Sequence, residues 1–243
     1  MCGRYTLRTP LNQLVRQFAL PFDAGSSTEY TPRYNIAPTQ QAAMIRQVAA
    51  SQRGGGTGET ASPEHPAAER ELAFLRWGLI PSWAKDPAIG NRMINARGET
   101  VAEKPSFRAA FRRRRCLAAA DGYYEWRAGT KPKQPIHFHL TDHEPFALAG
   151  LWEYWEPPDG GPPIESFTII TTDANRTAAA YHDRMPAILL AEDYARWLDP
   201  QFADTAALTA MIRPLPDEIP LHADAVSTYV NKPGNEGPQC LTG

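Results

Sequence analysis

Apolar and polar positions alternate in two periods along the chain. Leu11, Leu14, Val15 and Phe18 recur at helical spacing behind Thr9-Pro10, which predicts an amphipathic helix over 9–19 with Thr9 as cap and Pro10 at the first helical position. Residues 1–7 read as a short strand ahead of it, 21–32 as loop, and 43–48 as a strand. Residues 71–77 predict a strand leading into Gly78-Leu79-Ile80-Pro81-Ser82-Trp83, and 106–114 a helix ending in Arg112-Arg113-Arg114-Arg115. From Cys116 onward the pattern becomes mainly β, with strands over 116–120, 122–126, 136–140, 146–155 and 166–172 separated by turn residues. Helices over 191–198 and 204–212 follow, and the tail with Pro233, Gly234, Gly237 and Pro238 reads as loop. Strands and helices do not alternate regularly and no internal repeat is found, which favours an α+β fold over a βαβ sheet.

Composition narrows this picture. The 243 residues are 42% hydrophobic and 21% charged, enough for a substantial core in a single domain spanning 1–243. Residues 49–69 carry Gly54-Gly55-Gly56, Gly58, Pro63 and Pro66 and read as a flexible excursion inside that domain. No Lys-Ser/Thr pair follows these glycines, so they do not form a phosphate-cradling loop. The net charge of −2 excludes a polycation, and any nucleic-acid contact must come from a local basic patch. Three widely spaced cysteines, Cys2, Cys116 and Cys240, fit a reducing compartment better than a disulfide framework. The start of the chain is no signal peptide and no apolar run is long enough for a membrane span, so a soluble, cytoplasmic protein is expected.

The candidate chemistry begins at Met1-Cys2-Gly3-Arg4. Removal of Met1 would leave Cys2 with a free amine two carbons from its thiol, ordinarily titrating near about 8 and about 8.5. A cation such as Arg4 folded nearby would populate the thiolate. A 1,2-aminothiol closes on an aldehyde through an imine to a thiazolidine, and the same arrangement suits N-terminal nucleophile hydrolysis. The alternative is that Cys2 is an ordinary residue at a frayed terminus and Gly3 only a flexible lead-in.

Further along, His182-Asp183-Arg184 offers an acid–base or phosphate contact, or a surface turn. Alternation in Tyr123-Tyr124-Glu125-Trp126 places Tyr123 and Glu125 on one face; buried, that carboxylate could shuttle protons, and wet, it would merely solubilise. His137 and His139 share a strand face with His143 close behind, but no Cys pair or HExxH motif supports a metal. The Arg112–Arg115 run could meet phosphates or be a solvated face. Trp77 and Trp83, around a Gly-Pro loop, suit stacking on unpaired bases or belong to the core. Asn35 and Asn95, in turn-like settings, could donate to a carbonyl or sugar oxygen.

Taken in order, Met1-Cys2-Gly3-Arg4-Tyr5, Arg33-Tyr34-Asn35-Ile36-Ala37-Pro38, Trp77-Gly78-Leu79-Ile80-Pro81-Ser82-Trp83, Asn95-Ala96-Arg97-Gly98-Glu99-Thr100, the stretch from Cys116 to Trp126, and His182-Asp183-Arg184-Met185-Pro186 resemble the SRAP family, SOS response-associated peptidase-like proteins. The resemblance implies one α+β domain with a curved, barrel-like, mainly antiparallel β core flanked by helices, and a positively charged groove. It implies that Cys2, freed of Met1 by self-cleavage or an aminopeptidase, forms a thiazolidine crosslink to abasic sites in single-stranded DNA. The linkage would shield the lesion during replication. By matching motif Cys2 is the nucleophile, and Asn95, Glu125 and His182 line the site. Asn35 would position the N-terminus or opened sugar, Arg4, Arg97 and Arg184 would hold phosphates, and Trp83 would stack on a base, with Pro38 and Trp77 also on the DNA side. Ser82 stands where some members carry a second aromatic, which would make the stacking platform smaller.

The implied partner is single-stranded DNA bearing abasic sites, alone or at a junction with duplex. The expected protein is a monomer without cofactor or metal, associating with the nucleoid when bound to damage. Competing readings are an N-terminal-nucleophile amidohydrolase, which shares only Met-Cys-Gly, a peptidase acting on other chains, and a non-covalent single-strand binder. Glutaminase activity, turnover of an unrelated peptide, or binding indifferent to Cys2→Ala would respectively mark them.

Overall fold

The computed structural model describes residues 2–21, 30–48, 69–129 and 131–243. The chain opens with a strand over Tyr5–Leu7 (β1), a helix over Leu11–Gln17 (α1), and strands over Arg33–Ile36 (β2), Gln41–Val48 (β3) and Glu69–Trp77 (β4). A short strand over Asn95–Arg97 (β5) and a helix over Arg108–Arg113 (α2) lead into the β-rich stretch. That stretch comprises Arg115–Ala120 (β6), Gly122–Arg127 (β7), Gln134–Leu140 (β8), Phe146–Trp155 (β9) and Ile164–Asp173 (β10). The last part carries Arg176–Ala179 (α3), Arg184–Pro186 (β11), Ile188–Leu189 (β12), Tyr194–Leu198 (α4), Thr205–Met211 (α5) and Leu221–Ala225 (β13).

Five strands close on themselves. β10 pairs antiparallel with β9 and parallel with β4; β4 pairs with β3, β3 with β6, and β6 returns to β9. Only the β4–β10 seam of this ring is parallel, so the expected curved, mainly antiparallel α+β architecture is the one observed. β6 is buried at every position, which is why its run is small and apolar: neighbours crowd both faces. On one side Trp197 of α4 closes over it, its indole N–H donating to the Cys116 carbonyl at 3.0 Å.

A second sheet, in the order β13-β8-β7-β1-β2, lies beside the barrel, and the chain crosses from β6 to its strand β7 through the single residue Asp121. The buried Asp121 carboxylate accepts from the Thr6 hydroxyl (2.6 Å), the Arg8 and Thr9 amides (2.6 and 2.9 Å) and the Thr9 hydroxyl (3.0 Å). It thereby nails the first strand to the barrel corner. Beside it, a Cβ on Gly122 would fall 2.1 Å from His137 Nε2, so only glycine lets the two strands approach this closely. Asp121→Asn should destabilise the fold by about 2–4 kcal/mol, because an amide nitrogen would face buried donors where an oxygen now accepts. Urea unfolding at neutral pH measures it; an unchanged midpoint would refute the clamp.

His137 adds a pH dependence. Its ring is 2% exposed, and Nε2 lies 3.2 Å from the Thr6 hydroxyl, which already donates to Asp121 and so accepts from the neutral imidazole. Burial, then the neighbouring His139, pushes the His137 pKa down to about 3. The unfolded chain binds this proton near about 6.5, so the stabilisation is complete above that pH and is lost as pH falls toward the folded value. Between about pH 7 and about pH 4.5 the wild type should lose about 2–3 kcal/mol more than His137→Gln. Parallel losses in urea melts of the two proteins would dismiss the effect.

Several boundaries differ from the sequence expectation. The first helix is shorter and lacks a side-chain cap, because Thr9 is engaged by Asp121. The expected 191–198 helix divides into a 3-10 turn over Ala191–Asp193 and α4. The tail is not all loop: Leu221–Ala225 pairs with β8 along its whole length. Only Leu221 of that strand is buried, so the edge strand carries no alternation to read. The short β5, β11 and β12 were likewise unpredicted. The excursion expected over 49–69 lies outside the described residues except Glu69, where β4 already begins, and the same is true of Met1.

Candidate active site around Cys2

Residues 2–4 continue the line of β1 along β7, with the Tyr124 amide donating to the Arg4 carbonyl at 3.0 Å. Below them Tyr5 sets its ring edge-on against Trp77, centroids 5.3 Å apart, fixing the strand on the barrel. Cys2 is fully buried, its Sγ 3.8 Å from the Arg4 carbonyl oxygen. Asn95, at the start of β5, donates its amide to the Cys2 carbonyl at 2.8 Å. β5 is carried there by β10, with Asn95 in register with Ile169. Cys2 is thus held by two elements distant in sequence.

Glu125 falls on the buried face of β7 with Tyr123, as alternation predicts, and is 6% exposed. Burial first, and then the Glu125 carboxylate, push the Cys2 thiol far above its ordinary value. This overturns one expectation. The Arg4 guanidinium does not populate a thiolate, because it turns away to Asn35 Oδ1 (2.7 Å) and the Val230 carbonyl (2.8 Å) and lies over the Trp126 ring. In the chain that still carries Met1, Cys2 is a neutral thiol beside a carboxylate.

Arg4, Glu125, Trp126, Lys133, His182 and Asn231 line an open cleft of about 520 Å³ over this point. His182 Nδ1 accepts the Arg184 amide at 3.0 Å, which leaves the ring proton of a neutral imidazole on Nε2; protonated, Nδ1 pairs with Asp183 at 2.8 Å. Asn35 is buried behind the cleft. Its amide nitrogen donates to the carbonyls of Val230, Lys232 and Asn235, and its oxygen holds Arg4. The structure therefore brings Cys2, Asn95, Glu125, His182, Arg4 and Asn35 together.

It does not bring the other named residues into the lining. Trp77 takes the core alternative: it is fully buried, stacked on Phe167, with its indole N–H on the Ile94 carbonyl at 2.8 Å. Arg184 is committed to Glu99 (2.5 and 3.0 Å), Asp173 (2.8 Å) and the Thr171 carbonyl (2.7 Å), so a phosphate would compete with two carboxylates. That guanidinium in turn holds Glu99 below the usual carboxylate range. Trp83 is 58% exposed, Arg97 is exposed and Pro38 half-buried. The arginine run is half structural: buried Arg115 donates to the carbonyls of Phe111, Arg112, Trp197, Asp199 and Phe202, and Arg114 pairs with Glu153 at 2.7 Å. Among the described residues no group of His, Cys, Asp or Glu side chains could hold a metal ion, and no helix is long and apolar enough to cross a membrane.

Sequence reasoning missed Trp126 as a wall, and missed Lys133 and Asn231. Asn231 lies in the tail read as loop, and only the fold shows that this segment closes the cleft.

The family model for SOS response associated peptidase (SRAP) matches residues 1–233. The chain is 40% identical over 242 residues to the abasic site processing protein YoqW of Bacillus subtilis, covering 99% of each. It is 34% identical over 239 residues to the abasic site processing protein HMCES of Xenopus tropicalis, covering 89% of this chain and 68% of that one. A crystal structure of a Bacteroides thetaiotaomicron protein superposes with a TM-score of 0.79 at 26% identity, covering 99% of this chain and 98% of that chain. With residues 1–233 matched by the family model and its barrel shared with a solved structure, the chain belongs to the SOS response associated peptidase (SRAP) family.

Proposed function

We propose that this chain processes abasic sites in single-stranded DNA, and that it does so by bonding Cys2 to the ring-opened sugar after Met1 has left. The carrying observation is Cys2 tethered by Asn95 beside Glu125, beneath a cleft that holds Arg4 and His182. The names of the relatives, abasic site processing proteins at 34–40% identity, support the same substrate.

Each step balances. The freed Cys2 amine adds to the aldehyde carbon and water leaves, giving an imine. The thiol sulfur then adds to the imine carbon while its proton ends on nitrogen, closing a thiazolidine with net loss of one water. A neutral thiol needs a base at that moment, and the carboxylate next to it is Glu125. His182, open to solvent on the cleft wall, can protonate the departing oxygen. Arg4 and the cleft floor hold the strand so that a bimolecular capture becomes a local one.

The test is a single-stranded oligonucleotide with one abasic site, incubated with the protein and resolved under denaturing conditions. A covalent adduct is expected, with the mass of protein lacking Met1 plus oligonucleotide minus one water, mapping to Cys2. Failure to bond, or attachment at another residue, overturns the proposal.

A further inference from the structure

Of the cations expected to hold phosphates, Arg184 is taken by carboxylates and Arg97 lies off the cleft lining, which leaves Arg4 with one unassigned neighbour. That neighbour is Lys133. It lines the same cleft as Glu125 and His182, is exposed, and its ammonium meets no carboxylate among the described residues. Its backbone, by contrast, is fixed. Asn231 donates its side-chain amide to the Lys133 carbonyl at 3.0 Å and accepts the Trp126 indole N–H at 2.6 Å. The same tail segment accepts from Arg4 through the Val230 carbonyl, so one short stretch sets the position of both cations.

We infer that Lys133 is a phosphate-binding residue of this cleft, and that Asn231 is the positioning residue that holds it and Arg4 on the strand's path. The inference rests on the DNA reading above. A flexible ammonium on an immobilised backbone is suited to a phosphate oxygen, since it delivers a point charge without imposing bidentate geometry. Lys133 carries no part of the bond-making chemistry. It raises the occupancy of the cleft and leaves the rate of capture in the bound complex alone.

The experiment compares wild type, Lys133→Gln, Lys133→Arg and Asn231→Ala. One arm follows crosslinking to the abasic oligonucleotide against its concentration. The other follows non-covalent binding of an undamaged fluorescent single strand by fluorescence anisotropy, in a Cys2→Ala background. For Lys133→Gln the half-saturating concentration should rise about 3- to 10-fold at low salt, and the slope of log affinity against log salt should become shallower by about 0.7, the signature of one lost phosphate contact. The maximal crosslinking rate should stay within about 2-fold, since the reacting groups are untouched. Lys133→Arg should restore the affinity, and Asn231→Ala should weaken it with Lys133 intact. Unchanged affinity and salt slope in Lys133→Gln, or a fall in maximal rate alone, overturns the inference. The anisotropy arm decides the matter even if wild type forms no crosslink, an outcome that would sink the proposed chemistry by itself.

Discussion

Cys2→Ala protein, freed of its initiator Met, is expected to form no DNA adduct that survives denaturation. Binding of the same oligonucleotide should stay within about 2-fold, because the side chain removed is buried beneath the cleft and does not line it. Deleting one small buried group destabilises by about 1 kcal/mol, too little to unfold the protein. The variant keeps its amine, so it can still reach the imine. Without sulfur to close the ring, water takes the imine apart during the gel. Borohydride added during the incubation should therefore rescue an adduct in Cys2→Ala as a secondary amine, and should add nothing to the wild type. A retained Met1 should abolish both products, since the amine would then be three atoms further along and the Cys2 nitrogen an amide. A wild-type-sized adduct from Cys2→Ala without reductant would show that sulfur has no part in the linkage.

How far the sequence announced this arrangement depends on what each residue type signals. The strands from Cys116 to Thr172 were legible because their faces alternate or run continuously apolar. The Tyr123/Glu125 face was legible for the same reason, and its burial separates Glu125 from a merely solubilising charge. The family resemblance named Cys2, Asn95, Glu125 and His182 together, and the fold brings these four near one another. Contact partners were not legible. Arg184 and Trp77 have the chemistry of DNA contacts, yet two carboxylates and a barrel core claim them, and nothing in their local spacing marks that. Asp121 lies inside the stretch from Cys116 to Trp126 with nothing local to mark its role; its four donors come from β1 and the turn behind it, more than a hundred residues away. Lys133 and Asn231 had no signal at all, since a lysine in a hairpin and an asparagine in a tail are ordinary until the tail folds over the cleft.

Glu125→Gln should slow crosslinking by about 10²- to 10⁴-fold, the usual contribution of a positioned general base, with DNA affinity held within about 2-fold. The amide has the shape of the acid, so the cleft and the neighbouring strand should stay in place. What makes this substitution decisive is that its two effects on Cys2 oppose each other. Removing the carboxylate charge takes away one of the forces that push the thiol up, so the variant holds more thiolate at a given pH. If Glu125 acted only through its charge, the variant would then close the ring faster than wild type. If it carries the proton, the variant loses the acceptor and slows despite the easier ionisation. The deficit should narrow above about pH 9, where hydroxide can take the thiol proton directly. Because ring opening retraces ring closure, release of the bonded DNA should slow by the same factor, leaving the final yield of adduct close to that of wild type while both approaches to it lengthen. A variant that captures slowly but releases at the wild-type rate would give a lower final yield, and would show that Glu125 stabilises the linkage instead of carrying the proton.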